Sequence, residues 1–286
     1  MFTVILSPQP PRRGITGRLL DTIIPRSPMA EQQSSMGAAF WQVTPAAPMN
    51  ARGWRAVERA VGEHSANVLF SPELIPPERL SVARFTGEAH FMPLLCANTA
   101  AVALADSGLP AARRRVGLID LRGVRQSLVL RLLPHASSVL VMTEHPARYR
   151  AFCAQVLERF GTSVRLCASD SPMSDCAVVV APEGILAAHC GTLSAPVLSA
   201  REPPHPPRAC VMADLRLSAT TALPDAAVPP GIEPTLFAAA LYELGRVHAL
   251  ESSTASRGRM GGKWGTLAEF SACIAAGQDE NGDGNP

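Results

Sequence analysis

Between Val116 and Ala181 the chain alternates short, nearly continuous apolar runs with amphipathic stretches, and no other feature constrains the fold as strongly. Val116–Ile119, Val139–Met142, Val164–Cys167 and Ala177–Ala181 read as strands; Arg122–Leu133 and Pro146–Phe160, between them, have helical spacing. Strands separated by helices of about ten to fifteen residues are βαβ units, and such units build parallel sheets. The lack of polar alternation within each strand fits a sheet covered by helices on both faces. The expected class is α/β: a Rossmann-like parallel sheet with flanking helices, preceded by a smaller N-terminal α/β half.

Around this unit the organisation is less regular. Phe2–Leu6 is an apolar strand closed by the prolines of SPQPP. Ile15–Ile24 and Arg52–Glu63 have helical spacing, Asn67–Phe70 reads as a second strand, and residues 27–50 give no clear pattern or role. His90–Leu104 is an apolar helix that stops near Gly108 and Pro110. A weaker strand at Ala209–Ala213 extends the sheet, and a Pro-rich connection then leads to a helix at Thr235–Leu250. The stretch SSTASRGRMGGKWG is expected to be loop, with a short helix at Leu267–Ala275 after it. These breaks divide the chain into an N-terminal α/β domain (1–108), a Rossmann-like domain (109–232), a C-terminal helical segment packing back (233–276) and a disordered tail (277–286).

A chain of 286 residues, 47% of them hydrophobic, buries enough surface to need no staples. The net charge of +2 gives no broad field for nucleic acid or an anionic membrane, and neither is expected as a partner. Lys263 is the sole lysine, and with so much Ala and Pro this bias reads as a GC-rich, bacterial genome more than a binding surface. The 7 cysteines form no C-x-x-C pair, so reduced, mostly buried thiols are expected. The opening run MFTVIL lacks the basic flank and length of a signal peptide, and no run approaches the ~20 apolar residues of a membrane helix. A cytoplasmic location follows as the expectation.

The segments VLVMTE, FGTSVRLCA and SDCAVVVAP carry a family resemblance. Residues 115–182 resemble the NAD(P)-binding Rossmann domain of the shikimate dehydrogenase and glutamyl-tRNA reductase type, through a strand ending in an acidic residue, G-x-x-V, and aspartate, apolar strand, proline. The resemblance covers about a quarter of the chain. It implies a dinucleotide site at the turn after Val116–Ile119 and catalytic groups in the N-terminal half. The catalytic groups are not matched: the Lys of a shikimate dehydrogenase Lys–Asp pair has no counterpart before Lys263, and SPELIPP stands where it is expected. The nucleophilic thiol of a glutamyl-tRNA reductase could only be Cys96, which lies in an apolar helix and reads as core.

The phosphate turn departs from its fingerprint. Where G-x-G-x-x-G places glycines for close backbone approach to a pyrophosphate, this chain has Asp120, Arg122 and Arg125, with Gly123 off the pattern. Asp120 brings a negative charge toward phosphates, whereas an Arg there can take one phosphate or carboxylate bidentately. Thr143 and Glu144 end the next strand, about twenty residues further on, where an acidic residue reads ribose hydroxyls; they also suit the start of the helix at Pro146. Asp120, Arg122, Gly123, Arg125, Thr143 and Glu144 are therefore the candidate site.

Other motifs are rejected. GRMGGKWG lacks the spacing of a phosphate loop, and DENGDG ends without the twelfth-position Glu of a calcium loop. His189 and Cys190, adjacent in HCG, read as surface loop, and no His or Cys has a partner at metal spacing.

The reading that emerges is a Rossmann-like protein with a degenerate phosphate turn, acting as a non-catalytic small-molecule-binding or regulatory module. No cofactor is expected, and the partner is a small anionic metabolite, with self-association left open. The alternative is an NAD(P)-dependent oxidoreductase with a divergent turn, binding NAD or NADP there.

Overall fold

A computed structural model describes residues 1–10, 26–47, 49–62, 67–79, 81–168, 173–205, 208–218, 223 and 228–282. The helix expected at Ile15–Ile24 lies outside these. The chain forms two compact units, Met1–Ala89 with Ser218–Glu251, and His90–Leu217 with Ser252–Pro286.

The first unit holds β1 (Phe2–Ile5), β2 (Met29–Ser35), β3 (Ala38–Thr44), α1 (Ala51–Val61) and β4 (Val68–Phe70). The sheet order is β2-β3-β1-β4, with β1 parallel to both neighbours and β2 antiparallel to β3. The unread stretch from 27 to 50 is thus mostly a hairpin. Its turn uses Met36 and Gly37 at φ 49° and 80°, and a methionine in that region carries none of the usual turn signature. Helix α1 starts at Asn50, whose side chain accepts the Arg52 and Gly53 N–H groups at 3.1 and 3.0 Å, and it buries the stripe Trp54, Val57 and Val61. Phe2, Phe40 and Phe237 pack as an aromatic trio, with ring centroids 5.3–6.2 Å apart. Phe237 belongs to the helix Pro234–Glu243, which is shorter than the expected Thr235–Leu250. It stops because Gly245 lies against Ala38, where an added Cβ would come within 2.7 Å, and Arg246 turns to φ 57°.

The second unit is built on one sheet of eight strands. In chain order its elements are α2 (Phe91–Asp106), β5 (Arg115–Ile119), α3 (Gln126–Leu132), β6 (Ser138–Met142), α4 (Pro146–Phe160), β7 (Val164–Cys167), β8 (Val178–Ala181), β9 (Val197–Ser199), β10 (Val211–Arg216), β11 (Arg257–Met260) and β12 (Lys263–Thr266). The strands lie in the order β12-β11-β10-β9-β8-β5-β6-β7. From β7 to β10 every pairing is parallel, and the hairpin β11–β12 adds antiparallel to β10. Numbered within this unit, the parallel strands run 3-2-1-4-5-6, the doubly wound Rossmann order. The fold is therefore Rossmann-like, with its strand order reversing between β5 and β8. The interior strand β5 is buried from Val116 to Ile119, as helix cover on both faces requires.

Several expectations are corrected. Helix α2 groups with the large sheet, not with an N-terminal domain ending at 108: Cys96 Sγ donates to Leu198 O at 3.3 Å, and Thr99 Oγ1 accepts the Ala255 N–H at 2.9 Å. The segment 233–276 divides between the two units instead of packing back as one piece. Strand β9, three residues behind Pro196, is too short to show a pattern, and β10 begins two residues later than expected. The supposed loop from 252 to 265 contains β11 and opens β12, because Gly261 and Gly262, at φ 55° and 80°, supply the two positive-φ positions of a tight hairpin turn. A capping box then starts the last helix, Leu267–Gly282: Thr266 N–H donates to Glu269 Oε2 at 2.6 Å, and Glu269 N–H donates to Thr266 Oγ1 at 3.3 Å. That helix includes residues 277–282 of the expected tail; 283–286 lie outside the described residues. His189 and Cys190 are buried on a 3-10 turn (Ala187–His189), because the cluster around Leu193 and Val197 draws this segment into the core. Among the described residues no helix is long and apolar enough to cross a membrane.

Candidate functional site

The strand order reverses between the paired parallel strands β5 and β8, and in an open α/β sheet a ligand crevice forms outside the carboxyl ends at such a point. The chain leaves β5 at Asp120, a carboxylate only 1% exposed. The Asp120 carbonyl accepts the Gly123 N–H at 3.0 Å, closing a tight turn with Gly123 at φ 65°. An added Cβ there would lie 3.2 Å from both His145 Cβ and Arg148 Cδ, so glycine serves both the backbone twist and close packing on the start of α4. The Arg148 guanidinium secures this contact by donating to the Arg122 carbonyl at 2.8 Å.

This turn is why α3 begins at Gln126 and not at Arg122. The helix entrance is completed by the Asp120 side chain. Its Oδ1 accepts the Val124 N–H at 3.1 Å, and its Oδ2 accepts the Arg125 N–H at 2.6 Å and the Tyr149 hydroxyl at 2.7 Å. A helix N-terminus presents unpaired N–H groups and a positive dipole end, a ready anion site. Here the anion in that position is the protein's own. Tyr149, fully buried on α4, has its phenol pushed well above the ordinary range, by burial first and then by the hydrogen bond to Asp120 and that carboxylate's charge. It stays a proton donor at any physiological pH.

Arg122 and Arg125 converge on Glu183, two residues beyond the end of β8. Arg122 Nε donates to Glu183 Oε2 at 2.9 Å, and Arg122 Nη2 donates to Glu183 Oε1. Arg125 Nε reaches Glu183 Oε1 at 3.0 Å, and its Nη2 ion-pairs with the same oxygen at 3.0 Å. The Arg125 side chain is 13% exposed and the Arg122 side chain 63%, so one arm of the clamp is set into the protein and the other faces solvent. Burial tends to raise the Glu183 carboxyl, but hydrogen bonds and charge from both guanidinia outweigh it and hold the group below the usual carboxylate range.

Of the six residues singled out in the sequence, Asp120, Arg122, Gly123 and Arg125 form this turn and clamp. Thr143 and Glu144 lie beside it. Thr143 is buried and its hydroxyl accepts the His145 N–H at 3.1 Å, while the Glu144 N–H donates to the Leu121 carbonyl at 3.1 Å. The Glu144 side chain is exposed and does not cap α4, whose N-cap, His145, has no side-chain cap bond. Glu183 and Tyr149 were not among the sequence candidates. Glu183 had one usable signal, its place just past an apolar strand and proline in VVVAPEG; Tyr149 had none beyond a buried helical position.

No protein-family model and no curated protein matches the sequence. Among solved structures the chain is similar to L-tryptophan dehydrogenase from Nostoc punctiforme, at 12% identity, with 98% of this chain and 88% of that chain covered and a TM-score of 0.32. It is likewise similar to Mycobacterium tuberculosis shikimate dehydrogenase, at 15% identity, with 96% and 99% covered and a TM-score of 0.32. The fold assignment rests on the strand order, not on these likenesses.

Chemically, the crevice holds two carboxylates, each fully engaged. Asp120 fills the helix entrance. Glu183 supplies the planar pair of oxygens that two guanidinia are shaped to grip.

Proposed function

We propose that this protein is a Rossmann-like module that has given up dinucleotide chemistry and works as a non-catalytic small-molecule-binding or regulatory protein. One observation carries the reading: the Asp120 carboxylate accepts the Val124 and Arg125 N–H groups at 3.1 and 2.6 Å. A pyrophosphate at this helix entrance would need those same donors and would meet a fixed negative charge in front of them. The turn residues do not fit NAD or NADP. The Arg122–Glu183–Arg125 clamp supports a small anionic metabolite as partner, because an incoming carboxylate or phosphate can exchange with Glu183 at the exposed guanidinium of Arg122.

Isothermal calorimetry with NAD and NADP tests it directly. No saturable heat is expected from either nucleotide. The strand reversal between β5 and β8 favours a second reading, an NAD(P)-dependent oxidoreductase with a divergent turn, and a Kd of about a micromolar for either nucleotide would overturn the first reading in favour of it.

A further inference from the structure

A second cleft lies at the antiparallel end of the large sheet. Its volume is about 540 Å³, within the few-hundred to thousand Å³ range of small-molecule sites. Its apolar lining includes Val211 and Ala213 from β10 and Met260 from β11. The Gly261–Gly262 turn adds bare backbone with nothing within 4 Å of where a side chain would start. Arg259 and Glu202, of opposite charge, share this lining, together with the imidazole-bearing His205.

Both charges are loosely paired and open to solvent. Arg259 Nη1 stands 3.7 Å from Glu202 Oε1, and Arg259 Nε stands 3.9 Å from Asp214 Oδ2. Both separations exceed hydrogen-bond length. Asp214 has a better partner in Arg216, whose Nη2 donates to it at 2.8 Å. Among the described residues neither the Arg259 guanidinium nor the Glu202 carboxylate has a side-chain hydrogen bond; they meet only as these longer ion pairs. The indole of Trp264, directly across the β11–β12 register, lies 5.5 Å from the Arg259 guanidinium, and the same ring also meets Arg257 at 5.1 Å and Arg216 at 5.9 Å. Stacking on an aromatic ring orients a guanidinium without using its N–H donors. The result is a preset anion grip beside a carboxylate with room to spare.

We infer that this cleft binds a free amino acid with an apolar side chain. The α-carboxylate takes the Arg259 guanidinium, the ammonium takes Glu202, and the side chain lies on Val211, Ala213 and Met260. A simple anion suits the cleft poorly, since it would bring a second negative charge against Glu202; a simple cation would meet Arg259 in the same way. Only a molecule carrying both charges about one carbon apart answers both groups, and the apolar lining selects among such molecules.

The cleft shares no lining residue with the Arg122–Glu183–Arg125 clamp, so the two readings fail separately. The test is a thermal-shift and calorimetric series on the full chain with L-leucine and L-phenylalanine, N-acetyl-leucine, leucinamide and acetate. Saturable binding is expected for the free amino acids. Binding about tenfold or more weaker is expected for the N-acetyl and amide forms, and for the Arg259→Gln and Glu202→Gln variants with unmodified amino acid. Both residues are largely exposed, so these variants should fold, and their unliganded melting confirms it. An Arg122→Ala/Arg125→Ala double variant should keep amino-acid binding unchanged. No saturable response to either amino acid overturns the proposal; so does binding of acetate or N-acetyl-leucine as tight as that of leucine, which would mark a plain anion site. Loss of binding in the Arg122→Ala/Arg125→Ala variant alone would place the ligand in the other crevice and overturn it as well.

Discussion

The Tyr149 hydroxyl donates to Asp120 Oδ2 at 2.7 Å, joining the first turn of α4 to the turn that opens α3. The oxygen that receives it also accepts the Arg125 N–H at 2.6 Å. One buried carboxylate thereby ends a strand, starts a helix and ties that helix to the next one. Asp120→Asn replaces one of these acceptors with a donor facing a donor. It should cost about 1–3 kcal/mol of stability. Tyr149→Phe leaves both backbone N–H bonds in place and should cost less, about 1 kcal/mol. Urea unfolding of both variants checks the order, and an Asp120→Asn variant as stable as the parent would show that the carboxylate does not hold the turn.

The Glu183 carboxyl sits below its ordinary range in the folded state, so it binds its proton less readily there than in the unfolded chain. The stability it contributes is complete above the unfolded carboxylate pKa and is lost as pH falls through the lower, folded one. The melting-temperature difference between the parent and Glu183→Gln should therefore be steady at neutral pH and shrink toward zero in acid. The effect is modest, because the pair is partly solvated. A difference that grows on acidification would contradict the arrangement.

Thiol reactivity should follow burial. Cys96 is fully buried, its pKa pushed up by desolvation, and burial also pushes Cys176 up to about 12. Mass-spectrometric labelling with iodoacetamide should modify Cys153, which is part-exposed, ahead of both, and should reach Cys96 only on unfolding. Early labelling of Cys96 in the native protein would place it outside the core.

Gly258 on β11 faces the backbone of β10 closely. A Cβ at this position would stand 2.6 Å from Met212 Cγ and 2.8 Å from the Ala213 carbonyl. The methionine can move, but the carbonyl belongs to the strand. Gly258→Ala should cost about 1–3 kcal/mol through overpacking. Chemical denaturation measures it, and an unchanged midpoint would mean that the hairpin does not press on β10 as described.

The sequence alone determined the parallel strands and most helices of the large sheet, because strand and helix periods are written into each segment locally. Val116–Ile119, Val139–Met142 and Val164–Cys167 all lie within strands of the structure, and Pro146–Phe160 is helix throughout. It also placed Asp120, Arg122 and Arg125 at one turn, since they are neighbours in the chain. The hairpin β11–β12 was legible in principle, from Gly261 and Gly262, but its strands carry Arg, Lys and Trp and lack an apolar pattern. What only the tertiary structure decided is which distant residues meet that turn. Glu183 comes to Arg122 and Arg125 from the far side of β6, α4 and β7, because β8 returns to pair with β5. Tyr149 reaches Asp120 only once α4 has packed over the turn. Local periodicity fixes the direction in which each side chain points along its own element. The order of the strands fixes what it points at, and that order is set by how the whole sheet buries its surface.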